Sequence, residues 1–112
     1  MELFGDLLRG HTDSIILSIL EKEDSYGYEI NSTISKISDG KMLLTEATLY
    51  QAFRRIEKAG YITSYWRDGL NQTKRRYYSI TDLGKKVLKE KQEEWVEIKK
   101  IIDKFLLKKD SV

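Results

Sequence analysis

A chain of 112 residues, 40% hydrophobic and 34% charged, is expected to form one domain with a modest core, which an oligomer interface would reinforce. It holds no cysteine, which excludes a disulfide framework and thiolate metal sites. No run approaches the ~18 apolar residues of a membrane span, and the N-terminus lacks a charged segment leading into one, so a soluble cytoplasmic protein is expected.

The net charge of +2 is unevenly spread. Residues 1–45 carry four Lys/Arg against eight Asp/Glu, residues 46–80 seven against three, and residues 81–112 nine against seven. A basic middle third beside an acidic first third points to a patch for an anionic partner, with ordinary solvated charge as the competing reading.

In chain order, residues 6–21 place Leu8, Ile15, Ile16, Ile19 and Leu20 at helical spacings and predict a buried helix. Asp24 or Ser25 is expected to cap a second helix, "YGYEINSTISKI", with Tyr26, Ile30, Ile34 and Ile37 inward and Gly40 closing it. Thr45 reads as the N-cap of a third helix, whose apolar stripe is Leu49, Ala52, Phe53 and Ile56 and whose stop is Gly60. "YITSYW" and "KRRYYSI" then predict a β-hairpin. Thr81 caps a last helix to about residue 107, with Gly84, Leu88, Lys91, Trp95, Ile98, Ile102 and Phe105 on an imperfect heptad seam. Such a helix needs something to pack against, and a second copy is the economical answer.

This order predicts a mostly α fold with a small β-hairpin, a winged helix-turn-helix over residues 1–80. Residues 81–112 are then a C-terminal dimerisation helix packing with the first helix. On the third helix, Ala47, Gln51, Arg54 and Lys58 oppose the apolar stripe, with Arg55 at the edge. A recognition helix enters a major groove with its N-terminal part. Thr45, Thr48 and Gln51 are therefore placed for bases, and Arg54, Arg55 and Lys58 for phosphates. A hairpin tip carrying Asn71, Gln72, Thr73, Lys74 and Arg75 suits a phosphate backbone or a minor groove. Along that second strand, Arg76 lies nearer the core and is free to pair with an acid, Tyr78 points inward, and Tyr77 shares the other face with Tyr65.

"LLRGHTDSIILSIL", "DSYGYEI", "TEATLYQAFRRIEKAGYITSYW" and "KRRYYSITDLGKK" resemble the successive signature segments of the PadR family of bacterial transcriptional regulators, over roughly residues 6–107. The length resembles the short subfamily with one C-terminal helix. The resemblance implies a homodimeric repressor on a pseudo-palindromic operator in double-stranded DNA, released by a small aromatic compound. It places the DNA-facing helix on Thr45 to Arg55 and the wing on Asn71 to Arg76. Tyr50 matches the family's Leu-Tyr pair and Tyr28 the aromatic opening the second helix; core packing is the alternative for both.

The resemblance also implies a planar aromatic ligand between two copies of Trp95, in a pore lined by positions matching Leu7, Gly10, Ser14 and Ser18. Lys91 and Lys99 depart from that pattern and make the cavity more cationic. A tryptophan that merely fills the dimer core is the alternative.

An enzyme is not expected. His11 is the sole histidine, and no phosphate loop or carboxylate–histidine cluster implies a cofactor or a metal. The remaining rival is a winged-helix module that binds protein without specific DNA recognition.

Overall fold

The structure is a computed structural model and describes residues 10–108; Leu7 and Leu8 lie outside them. The elements are α1 (Thr12–Lys22), β1 (Ser25–Tyr26), α2 (Gly27–Ile37), α3 (Glu46–Lys58), β2 (Ile62–Asp68), β3 (Lys74–Ile80) and α4 (Asp82–Leu106). A single 3-10 turn, Leu70–Gln72, joins β2 to β3. The strands form an antiparallel sheet in the order β1-β3-β2.

One core joins these layers. Ile16, Leu17 and Leu20 of α1 meet Ile30 and Ile34 of α2, Leu49, Ala52, Phe53 and Ile56 of α3, and Ile62, Tyr78 and Leu88. Each large aliphatic or aromatic side chain so buried contributes about 1.5–3 kcal/mol. The Phe53 and Tyr78 rings stack with centroids 4.0 Å apart, which locks α3 onto the inner face of the sheet. Burial also pushes the Tyr78 hydroxyl pKa up.

Two caps fix the helix ends as the sequence predicts. Thr45 Oγ1 accepts from the Thr48 amide at 3.1 Å, and Thr81 Oγ1 accepts from the Gly84 amide at 3.0 Å. Gly60 ends α3 at φ +85°, with Tyr61 N donating to Ile56 O at 2.9 Å, a left-handed closure that glycine adopts without strain. Thr81 also donates to the Gly60 carbonyl at 2.7 Å, so the end of α3 and the start of α4 are tied together.

Two expectations are corrected, and the hairpin gains a strand. Asp24 and Ser25 do not cap the second helix. Ser25 and Tyr26 instead pair with Tyr78 and Tyr77 as a third strand, and α2 starts at Gly27. Ser25 is buried in that ladder with its hydroxyl donating to Glu29 at 2.5 Å. The hairpin is therefore part of a three-stranded sheet. Ile37 is 74% exposed, because the last turn of α2 runs past the core.

The first turns of α4 dock on the domain. Gly84 lies so close to the Tyr61 carbonyl oxygen that a Cβ would collide with it, and Leu88 is the last buried position of α4. Beyond it Trp95, Val96, Ile98, Ile101, Ile102 and Phe105 are exposed. The projecting helix gives extents of 62 × 32 × 21 Å and a radius of gyration of 16.2 Å, against about 13 Å for a compact chain of this length.

Candidate nucleic-acid interface

The turn between α2 and α3 is held by two side chains, Asn31 and Ser38. Asn31 of α2 donates through Nδ2 to the Leu44 carbonyl at 2.7 Å, and its Oδ1 accepts from the Leu44 amide at 3.1 Å. Ser38 Oγ accepts from the Met42 amide at 2.9 Å. These bonds satisfy loop backbone that no helix or strand can serve, and they fix where α3 begins.

From that start, α3 turns Leu49, Ala52, Phe53 and Ile56 into the core, leaving Ala47, Thr48, Gln51, Arg54 and Lys58 exposed. Ala47, Gln51, Arg54 and Lys58 are spaced by four, three and four residues, so they share one face. The Thr45 hydroxyl is committed locally: it accepts from the Thr48 amide and donates to Thr48 Oγ1 at 2.9 Å. Thr48 therefore keeps its own hydroxyl proton for a partner outside the turn.

Arg55, expected to face a phosphate, is engaged within the chain. Its Nε and terminal nitrogen donate to the two oxygens of Asp13 at 2.9 and 2.5 Å, a fork that ties α3 to α1. The hydrogen bond to Asp13 raises the Arg55 pKa further. Arg54 and Lys58, beside it on α3, make no ion pair with an acid among the described residues.

The wing is β2, β3 and the tip between them. Gly69 N donates to Thr73 O at 2.5 Å, and Asn71 and Gln72 both take left-handed φ, 59° and 62°. Asn tolerates that region better than most residues. Thr73 turns its hydroxyl to the Leu70 carbonyl at 2.7 Å, while Lys74 is exposed beside it. On the inner face, Arg76 donates to Glu57 at 3.3 Å and to Ser64 Oγ at 2.9 Å, the acid pairing expected of it. On the outer face, Tyr26, Tyr77 and Tyr65 stand in one row across three strands. The Tyr65 hydroxyl donates to Asp24 at 2.6 Å, and that bond pushes its pKa up. Arg67 and Arg75 form the next row toward the tip.

Tyr28 and Tyr50 flank the junction of α2 and α3. Tyr28 is 80% exposed, so core packing does not describe it. Tyr50 sets its ring edge against Phe53 at 5.8 Å and its hydroxyl near Gly27. With Asn31, Glu46 and Leu49 they line a groove of about 500 Å³.

The family model for the transcriptional regulator PadR-like family matches residues 16–90, the span from the core of α1 through the wing into α4. The chain belongs to the PadR-like family of transcriptional regulators. An uncharacterised protein from Lysinibacillus sphaericus is 48% identical over 102 residues, covering 91% of this chain and 94% of that one. A transcriptional regulator from Clostridium thermocellum superposes with a TM-score of 0.85 at 49% identity, covering 91% of this chain and 99% of the other. A PadR family transcription regulator from Clostridium difficile R20291 gives 0.72 at 40% identity, covering 84% and 96%.

This PadR-like chain has a second groove, of about 310 Å³, between α1 and α4. Gly10, His11, Ser14 and Ser18 line one side, Lys91 and Trp95 the other. Trp95 is 47% exposed and packs T-shaped with His11 at a centroid distance of 5.2 Å. Ser18 donates to its own helix, at the Ile15 carbonyl, and Lys91 lies 3.8 Å from Glu94. Lys99 instead pairs with Asp103 at 3.2 Å, one turn further along. Among the described residues no group of three His, Asp or Glu is placed to hold a metal ion, and no helix is long and apolar enough to cross a membrane.

Sequence reasoning missed three residues here: Asn31, Asp13 and Arg67. Asn31 carries a faint signal, a polar side chain in the middle of a helix where asparagine is a poor former. Asp13 and Arg55 are 42 positions apart, so nothing local links them.

Proposed function

We propose that this regulator binds double-stranded operator DNA as a homodimer and acts as a repressor released by a planar aromatic compound. One observation carries the DNA reading. The exposed face of α3, with Gln51, Arg54 and Lys58, lies on a helix anchored by Phe53 against a sheet whose tip presents Lys74 and Arg75.

In this reading Thr48 and Gln51 meet base edges, since glutamine pairs bidentately with adenine and threonine serves either bases or phosphates. Arg54, Lys58, Thr73, Lys74 and Arg75 meet phosphates, which supply most of the affinity. Tyr28 and Tyr50 offer hydroxyls to the backbone from the α2–α3 junction. Thr45 acts through the cap that orders the first turn of α3, and Arg55 through its hold on α1. Residues 1–80 form the DNA-binding unit and 81–112 the dimerisation helix, whose exposed apolar residues after Leu88 a second copy covers.

Arg54→Ala and Lys74→Ala are each expected to weaken binding to the DNA upstream of the protein's own gene while leaving oligomeric state unchanged. Unaltered affinity in both would show that the contact surface lies elsewhere.

Release is assigned to the groove between α1 and α4. Trp95 supplies the aromatic face, Ser14 the polar wall beside Ser18, and Lys91 with Glu94 a pair of opposite charges at the edge. Leu7, outside the described residues, is proposed for the same wall.

A further inference from the structure

The outer face of the wing carries an arrangement that DNA binding through α3 and the wing tip does not require. Arg67 and Arg75 are direct cross-strand partners in the β2–β3 ladder, and like charges directly opposite one another are unfavourable in a sheet. No ion pair among the described residues neutralises either of them. The aromatic row behind them does the holding. The Arg67 guanidinium lies 4.4 Å from the Tyr77 ring centroid, and the Arg75 guanidinium 4.7 Å from that of Tyr26. Those rings are themselves packed side by side, Tyr26 on Tyr77 at 5.1 Å and Tyr77 on Tyr65 at 5.9 Å. Asp24 fixes the Tyr65 end through its hydroxyl.

A guanidinium laid on an aromatic face keeps its in-plane N–H donors turned outward, and that fork matches a phosphate. The same stacking covers the ring faces, so the row is poorly suited to stacking an unpaired base. Two cations held side by side on rigid supports, neither in an ion pair, with Asp24 engaged by the Tyr65 hydroxyl, form a preorganised anion site.

We infer that Arg67 joins Arg75 in a twin-guanidinium clamp for a DNA backbone phosphate, on the outer face of the wing, beside the tip contacts of Thr73 and Lys74. The inference rests on the DNA-binding reading and deepens it. Tyr26 and Tyr77 are positioning residues: they hold the arginines and touch no phosphate themselves.

The experiment measures binding of a mixed-sequence duplex of about 30 base pairs by fluorescence anisotropy, between about 50 and 200 mM salt, where phosphate contacts register as counterion release. Each phosphate lost should flatten the log–log slope by about 0.9, so the double variant Arg67→Ala/Arg75→Ala should flatten it by that amount per bound chain. Arg67→Lys/Arg75→Lys keeps both charges without the fork, so it should retain the slope and bind more weakly. Tyr26→Leu, which removes a ring and no charge, should weaken binding in the same direction. An unchanged slope in the folded double-alanine variant overturns the clamp and leaves α3 in place. A wild-type chain that ignores duplex DNA overturns the DNA-binding reading itself.

Discussion

Arg54 and Arg55 are neighbours of the same type with different employment. Arg54 stands on the exposed face of α3, whereas Arg55 is turned 100° away and forks onto Asp13 of α1. The Arg55 side chain is 56% exposed, so screening keeps the pair to about 0.2–1 kcal/mol despite its bidentate form. Arg55→Ala should therefore lower stability by about that amount in urea unfolding, and reduce DNA affinity less than Arg54→Ala does. Equal losses of affinity would return Arg55 to the contact surface. The helical wheel put Arg55 at the edge of the polar face. It could not show that the edge abuts α1, because that depends on how two helices remote in sequence cross. Arg76 was legible for the opposite reason: strand alternation aims it inward, and Glu57 sits at the end of the helix that packs there.

At the scale of elements, the apolar periodicity of α3, the two threonine caps and the glycine stop were all local signals, and they place α3 correctly. The third strand was not legible. "SY" is too short to show alternation, and its pairing with β3 depends on a contact 51 or more residues away along the chain. The same holds for the Asn31 clamp on Leu44, which decides the start of α3 without any motif. Asn31→Ala should cost about 1–3 kcal/mol, since it leaves a partly buried backbone amide and carbonyl without their partner, and DNA affinity should fall with it. An unchanged melting temperature would mean that the loop finds other partners.

The whole molecule is a small domain with a helix that outruns it. Burial on α4 stops at Leu88, and the apolar positions beyond it repeat at spacings that suit a packed seam. The imperfect heptads were visible in the sequence. The way Trp95 shares a groove with His11, Ser14 and Ser18 was visible only through family resemblance, because it needs α1 laid against α4. If that groove takes planar aromatic compounds, titrating a broad panel of them should quench Trp95 fluorescence, corrected against a Trp95→Phe variant that retains Trp66. Absence of any quenching attributable to Trp95 would remove the ligand from the account.

The most direct test joins the helix, the wing and the dimer in one titration. A labelled duplex taken from upstream of the protein's gene, containing an inverted repeat with half-sites about one helical turn apart, is bound across a range of salt. The account predicts two chains per duplex and an affinity that falls steeply, with a log–log slope of about −0.9 for every phosphate neutralised. Binding that is absent or indifferent to salt would contradict it, and would favour a winged-helix module whose partner is protein.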